Sequence, residues 1–142
     1  TASIMHDIGK IGIPDSILKK PGKLTEEEFE IIKTHPSIGY KIFGKSDLDM
    51  LKISANLALN HHEKYDGTGY PNGIKGDEIL LEARMLSIID VFDAMTHKRV
   101  YKDAFSVDEA LNYIKSQKSK HFDPNLVDVF MENIEEILDI EE

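Results

Sequence analysis

The sequence contains no cysteine. A disulfide framework and a thiolate metal site are both excluded, so any bound metal has to rely on imidazole nitrogen and carboxylate oxygen. Such donors favour Fe, Mn, Zn or Mg. The chain also lacks an apolar run of about 20 residues and a signal-peptide pattern, so it is expected neither to span nor to contact a membrane. Internal repeats, low-complexity stretches and long Ser/Gly linkers are absent, and strand patterns are scarce. From His121 to Glu142 there is no Lys or Arg against eight carboxylates, which accounts for most of the net charge of −9. That balance argues against a DNA-coating surface, which needs clustered cations. It leaves room for an anionic substrate where a few cations and a metal face it locally.

What is present fits one domain. A chain of 142 residues, with 41% hydrophobic and 30% charged residues, is long enough to bury a core unaided. The sequence opens without an initiator Met inside an apolar stretch, Ile4, Met5 and Ile8, and this reads as a truncated N-terminus.

Glycine and proline divide the remainder into short helices. Pro14 can open a helical turn through Leu18. Thr25 followed by Glu28 is a capping-box signature for a helix carrying Phe29, Ile31 and Ile32, which Pro36 should end or bend just after His35. Leu48, Leu51, Ala55 and Leu59 repeat at helical spacing from Asp47 to about His62. The run from Tyr65 to Gly73 holds three glycines and a proline, so it predicts a loop, and loops this long usually serve a function. A helix over 81–98, another capped by Ser106 and Glu109, and a last one starting at Asp123-Pro124 complete an all-α reading.

The polar residues embedded in this pattern point to chemistry. His6-Asp7 sit at the end of one apolar stretch, His35 lies beside Pro36, His61-His62-Glu63 close a second helix, and Asp90 falls mid-helix among apolar residues. Each has a plain structural explanation in isolation. Together, four histidines and two aspartates on four separate elements can satisfy more than one metal ion. A pair of ions about 4 Å apart neutralises the oxygens of a phosphodiester during in-line displacement.

At this point the motifs carry a resemblance. His6-Asp-Ile-Gly-Lys-Ile-Gly-Ile-Pro-Asp15, Lys20-Pro-Gly22, His35-Pro36, His61-His-Glu63, Asp66-Gly-Thr-Gly-Tyr-Pro71, Asp90-Val-Phe-Asp-Ala94 and His121-Phe-Asp-Pro124 resemble the HD-GYP family in order and spacing. The resemblance implies an HD-superfamily helical bundle over residues 1–142, and a phosphodiesterase that opens cyclic di-GMP to pGpG or GMP, with cyclic GMP-AMP as the related substrate. It implies His6, Asp7, His35, His61, His62 and Asp90 as ligands of two or three divalent ions, iron or manganese, with Asp7 bridging. It implies Asp7 and Lys10 in catalysis, and Lys10, Gly69, Tyr70, Arg99 and Lys102 in substrate binding. GGDEF-type or other signalling proteins are the implied partners, and the implied setting is a cytoplasmic output domain whose parent protein can be membrane-anchored.

Two departures accompany the resemblance. The family's usual Arg-Pro-Tyr is Arg99-Val-Tyr101. Family sites also draw a His from an earlier helix, and three-metal members a nearby Glu; only five residues precede His6, so the expectation is a domain lacking its first helix or helices, with weakened metal binding. The competing reading is a non-catalytic module that binds a nucleotide or a protein through the Gly69–Gly73 loop.

Overall fold

The computed structural model describes residues 5–97 and 105–140. Eight α-helices order them: α1 Asp15–Leu18, α2 Glu26–Ile32, α3 His35–Phe43, α4 Asp49–Asn60, α5 Leu81–Thr96, α6 Val107–Ser116, α7 Pro124–Glu132 and α8 Ile134–Ile140. Two 3-10 turns, Ile8–Gly12 and Gly76–Glu78, join them. Among the described residues there is no strand, only an isolated bridge between Lys118 and Phe122.

The predicted caps form. Thr25 Oγ1 accepts from the Glu28 amide while the Glu28 carboxylate accepts from the Thr25 amide, and Ser106 with Glu109 repeats the arrangement at α6. Asp123 accepts from the Asn125 amide at the start of α7, where Pro124 takes the first position. A proline costs nothing there because its missing N–H has no intrahelical partner to lose.

His6 and Asp7 directly precede the first 3-10 turn. Two boundaries differ from expectation. Pro36 does not bend a helix that carries His35. Instead α2 stops at Ile32 and His35 is the first residue of α3, with the proline in its first turn. The expected last helix is two, α7 and α8, parted at Asn133.

One core cluster joins α5, α6 and α7 through Ile88, Phe92, Ala110, Ile114, Phe122, Val127 and Phe130. A second joins α4 to α5 through Leu57, Ile79, Ala83 and Leu86. The half that carries the polar motifs is packed more tightly still. A Cβ on Gly9 would lie 1.9 Å from the His35 carbonyl oxygen, and one on Gly39 would lie 2.9 Å from the Ala58 Cβ. Only glycine lets the 3-10 turn, α3 and α4 approach so closely. Met85, Ile89 and Phe92 of α5, Val129 and Phe130 of α7 and Ile137 of α8 line an open apolar groove of about 410 Å³.

Candidate metal centre

Three elements deliver polar side chains to one point, and a fourth lies beside it. Asp7 caps the 3-10 turn, His35 begins α3, His61 and His62 follow the last residue of α4, and Asp90 lies on α5. One ligand atom from each of Asp7, His35, His61 and His62 lies within 4.8 Å of all the others.

The hydrogen bonds around the rings fix what these atoms are. His35 Nδ1 is 2.7 Å from the Ile32 carbonyl oxygen, and His61 Nδ1 is 2.9 Å from that of Ala58. A neutral imidazole facing a carbonyl must donate, so the proton sits on Nδ1 and Nε2 presents a lone pair. The two Nε2 atoms then face each other at 3.2 Å. Asp7 Oδ1 lies 3.4 Å from the first and 3.6 Å from the second, and among the described residues it is a buried acceptor without a hydrogen-bond partner. Three converging acceptors in a site where His35 is only 1% exposed repel one another unless a cation stands among them. The donor set therefore fits a divalent metal held by nitrogen and oxygen.

Asp7 faces a second group through its other oxygen. Oδ2 is 3.6 Å from His6 Nε2, which is itself 3.3 Å from Asp90 Oδ2. Asp7 thus faces His35 and His61 through Oδ1 and His6 through Oδ2, and the His6 ring also packs against that of His61 with centroids 4.9 Å apart. Lys10 Nζ donates to the same Oδ2 at 2.6 Å, so the structure pairs this lysine with the aspartate.

Charge states reflect these neighbours. Burial alone would raise the Asp7 pKa, but the Lys10 ammonium bonded to Oδ2 holds the carboxyl below the usual range. Burial, and after it the neighbouring His61 and His35, depresses the His62 pKa to about 2, leaving a neutral ring. The contact with His6 keeps Asp90 low. Asp90 is also less buried than its apolar sequence context suggests, with 46% of its side chain exposed.

The glycine-rich loop packs on this centre. The Tyr70 ring stacks on His62 with centroids 4.7 Å apart and planes 25° apart, and its hydroxyl pKa is pushed up to about 12, by burial first and by Asp7 second. Gly69 is pressed so closely to the chain that a Cβ would lie 2.4 Å from the Lys64 amide nitrogen. Arg99 and Lys102, the other expected phosphate cations, lie outside the described residues.

Two contributors escaped the sequence reading. Lys33 sits 5.1 Å above the Phe29 ring and 5.9 Å from that of Tyr70, beside an open cleft of about 490 Å³ also lined by Thr34, Ser37 and Tyr70. Glu63 is 2% exposed, and its carboxylate accepts from the Asn72 amide at 2.7 Å. Its place directly after two histidines was a signal; its burial was not legible.

The fold and the site together define an all-helical domain built around a His/Asp centre that can hold a metal. The HD domain family model matches residues 1–126, and the chain belongs to that family, with the Gly69-Tyr70-Pro71 run of its HD-GYP type. It is 49% identical over 130 residues to the cyclic di-GMP phosphodiesterase response regulator RpfG of Xanthomonas campestris, covering 92% of this chain and 34% of that protein. A cyclic di-GMP phosphodiesterase of Thermotoga maritima is 46% identical over 139 residues, covering 98% of this chain and 38% of the relative. The 3'3'-cGAMP-specific phosphodiesterase 2 of Vibrio cholerae is 42% identical over 139 residues, covering 98% and 27%. This chain therefore spans about a third of the length of these relatives. The crystal structure of a cyclic GMP-AMP-specific phosphodiesterase of Vibrio cholerae shares the fold, with a TM-score of 0.66 at 21% identity over 93% of this chain and 36% of that one. No helix among the described residues is long and apolar enough to cross a membrane.

Proposed function

We propose that this chain forms part of a metal-dependent phosphodiesterase domain that hydrolyses cyclic dinucleotides, cyclic di-GMP foremost, in bacterial second-messenger signalling. The observation that carries the reading is the convergence of Asp7, His35, His61 and His62 within 4.8 Å, with Asp7 turning its second oxygen toward His6 and Asp90. An interaction surface has no chemical use for four such groups aimed at one point with two more beside them. The relatives from Xanthomonas, Thermotoga and Vibrio are all named as phosphodiesterases of cyclic dinucleotides, which supports the same class.

In this reading His6, Asp7, His35, His61, His62 and Asp90 would hold two or three divalent ions; iron or manganese fits the nitrogen and oxygen donors. The chemistry such ions supply is Lewis-acid withdrawal of charge from phosphodiester oxygens and activation of water at neutral pH. The chain's own residues do the rest. The Nδ1–carbonyl bonds fix the rings of His35 and His61, and the Asp7 carboxylate faces both through Oδ1. Lys10 can leave its bond to Asp7 for a substrate phosphate, with Arg99 and Lys102 as further phosphate cations. Tyr70 and Gly69 form the wall nearest the nucleotide.

The test measures metal content and cyclic di-GMP and cyclic GMP-AMP turnover in the protein and in its Asp7→Asn variant. The protein should hold divalent metal and turn the nucleotide over, and the variant should lose both. Nucleotide binding without turnover in the unsubstituted protein would sink the reading.

A further inference from the structure

We infer that Glu63 is a positioning residue that fastens the glycine-rich loop to the backbone bearing the metal-site histidines, and thereby holds the Tyr70 ring against His62. The inference rests on reading the His/Asp cluster as a metal centre.

The three clustered histidines are not oriented alike. His35 and His61 each spend Nδ1 on a backbone carbonyl of the preceding turn, and that bond fixes the ring. Among the described residues His62 has no hydrogen bond from its ring. It is oriented by ring contacts, with Tyr70 stacked at 4.7 Å on one side and His61 at 4.0 Å on another. Metal-site histidines depend on such outer supports for affinity, so at His62 the support is the loop itself.

Residues 64–75 form neither helix nor sheet, so their backbone groups need partners elsewhere. The carbonyls of His121 and Lys120 take the Tyr65 and Asp66 amides, groups of Lys64, Asp66 and Glu78 take those of Gly67, Thr68 and Lys75, and around Tyr70 two adjacent residues supply the partners. The His62 carbonyl accepts from the Tyr70 amide at 3.2 Å, and the Glu63 carboxylate accepts from the Asn72 amide at 2.7 Å. The amides of Gly73 and Ile74 further favour the ionised carboxylate. These two anchors bracket Tyr70 and Pro71, while Gly69, too close to His62, Glu63 and Lys64 for any side chain, sets the depth at which the loop sits.

A carboxylate is a costly group to bury merely to fill space. Glu63 Oε2 has no hydrogen-bond partner among the described residues, and burial pushes the carboxyl pKa up. Pure packing would be better served by an apolar residue. An acceptor long enough to reach nine residues ahead is what the loop requires.

The experiment uses this chain, isotopically labelled, and reads the imidazole ring signals of His35, His61 and His62 by NMR, amide exchange over residues 66–76, and Zn²⁺ affinity by titration. Glu63→Ala should move the His62 ring signals toward their positions in Tyr70→Leu, speed exchange in the loop, and weaken Zn²⁺ about tenfold, while His35 and His61 signals stay in place. Glu63→Gln, whose amide oxygen can still accept from Asn72, should restore part of each effect. If the alanine variant does not fold, Glu63→Asp, one methylene too short to reach, takes its place. Unchanged His62 signals in a folded variant, or shifts spread evenly over all three histidines, overturn the inference. None of these measurements uses a nucleotide, so an inactive protein that shows the expected shifts would remove the phosphodiesterase reading and leave this one standing.

Discussion

Asp7 decides the chemistry of the site at the scale of single residues. It is the carboxylate that faces three imidazoles and a lysine at once, and its ionised form is strongly favoured. Asp7→Asn keeps the size and removes the charge. In thermal melts with and without Mn²⁺, the wild-type chain should gain stability from the ion by mass action, and the variant should gain almost none. An equal gain in both would place the metal elsewhere. His121 makes a prediction of opposite chemistry. Burial, then the nearby Lys64, lowers its pKa from 6.5 to about 4. The unfolded chain therefore binds a proton between those values that the folded chain refuses, and stability falls as pH drops from 6.5 toward 4. Urea unfolding at about pH 7 and about pH 5 should show a smaller difference in His121→Asn than in the wild type. The residues that gather in the cluster could be named at this scale because the motifs are local. What a lone residue could not reveal is burial: Asp90 reads as buried and is half-exposed, whereas Glu63, given no role by its motif, is sealed in.

Elements were legible where their ends carry side-chain chemistry. The Thr25–Glu28 and Ser106–Glu109 boxes and the Asp123-Pro124 start all form because each satisfies orphan amides within four residues. Ser106→Ala should cost about 1 kcal/mol in chemical denaturation without changing the fold. The start of α3 was missed because proline is compatible with both sides of a helix gap: it terminates the helix before it and suits the first turn of the helix after it. Contacts between elements were invisible for another reason, since nothing local marks a glycine as a point of close approach. Gly9 is the sharpest case. Its Cβ would fall 1.9 Å from the carbonyl of His35, so Gly9→Ala must push the 3-10 turn away from α3 and carry Asp7 with it. A loss of about 1–3 kcal/mol in stability is expected from the overpacking, with Mn²⁺ binding weakened more than the helix content measured by circular dichroism. Unimpaired metal binding would show that the turn accommodates the methyl without moving the carboxylate.

On the scale of the whole molecule, polar motifs and apolar mass are kept apart. The histidines gather where the 3-10 turn, α3 and α4 meet, while the larger core lies among α5, α6 and α7. The helical class was readable from periodicity alone, but the side-by-side placement of α5, α7 and α8 was not, and with it comes the groove lined by Met85, Ile89, Val129 and Ile137. That groove governs how the molecules behave toward one another in concentrated solution. With a net charge of −9, copies repel at low ionic strength. Sulfate both screens that repulsion and strengthens apolar burial, so the protein should salt out early, along this stripe. Val129→Lys sets a cation in the middle of it and should raise the sulfate concentration at which light scattering appears. A groove with no polar motif in its lining would then set the concentration at which the protein can be handled.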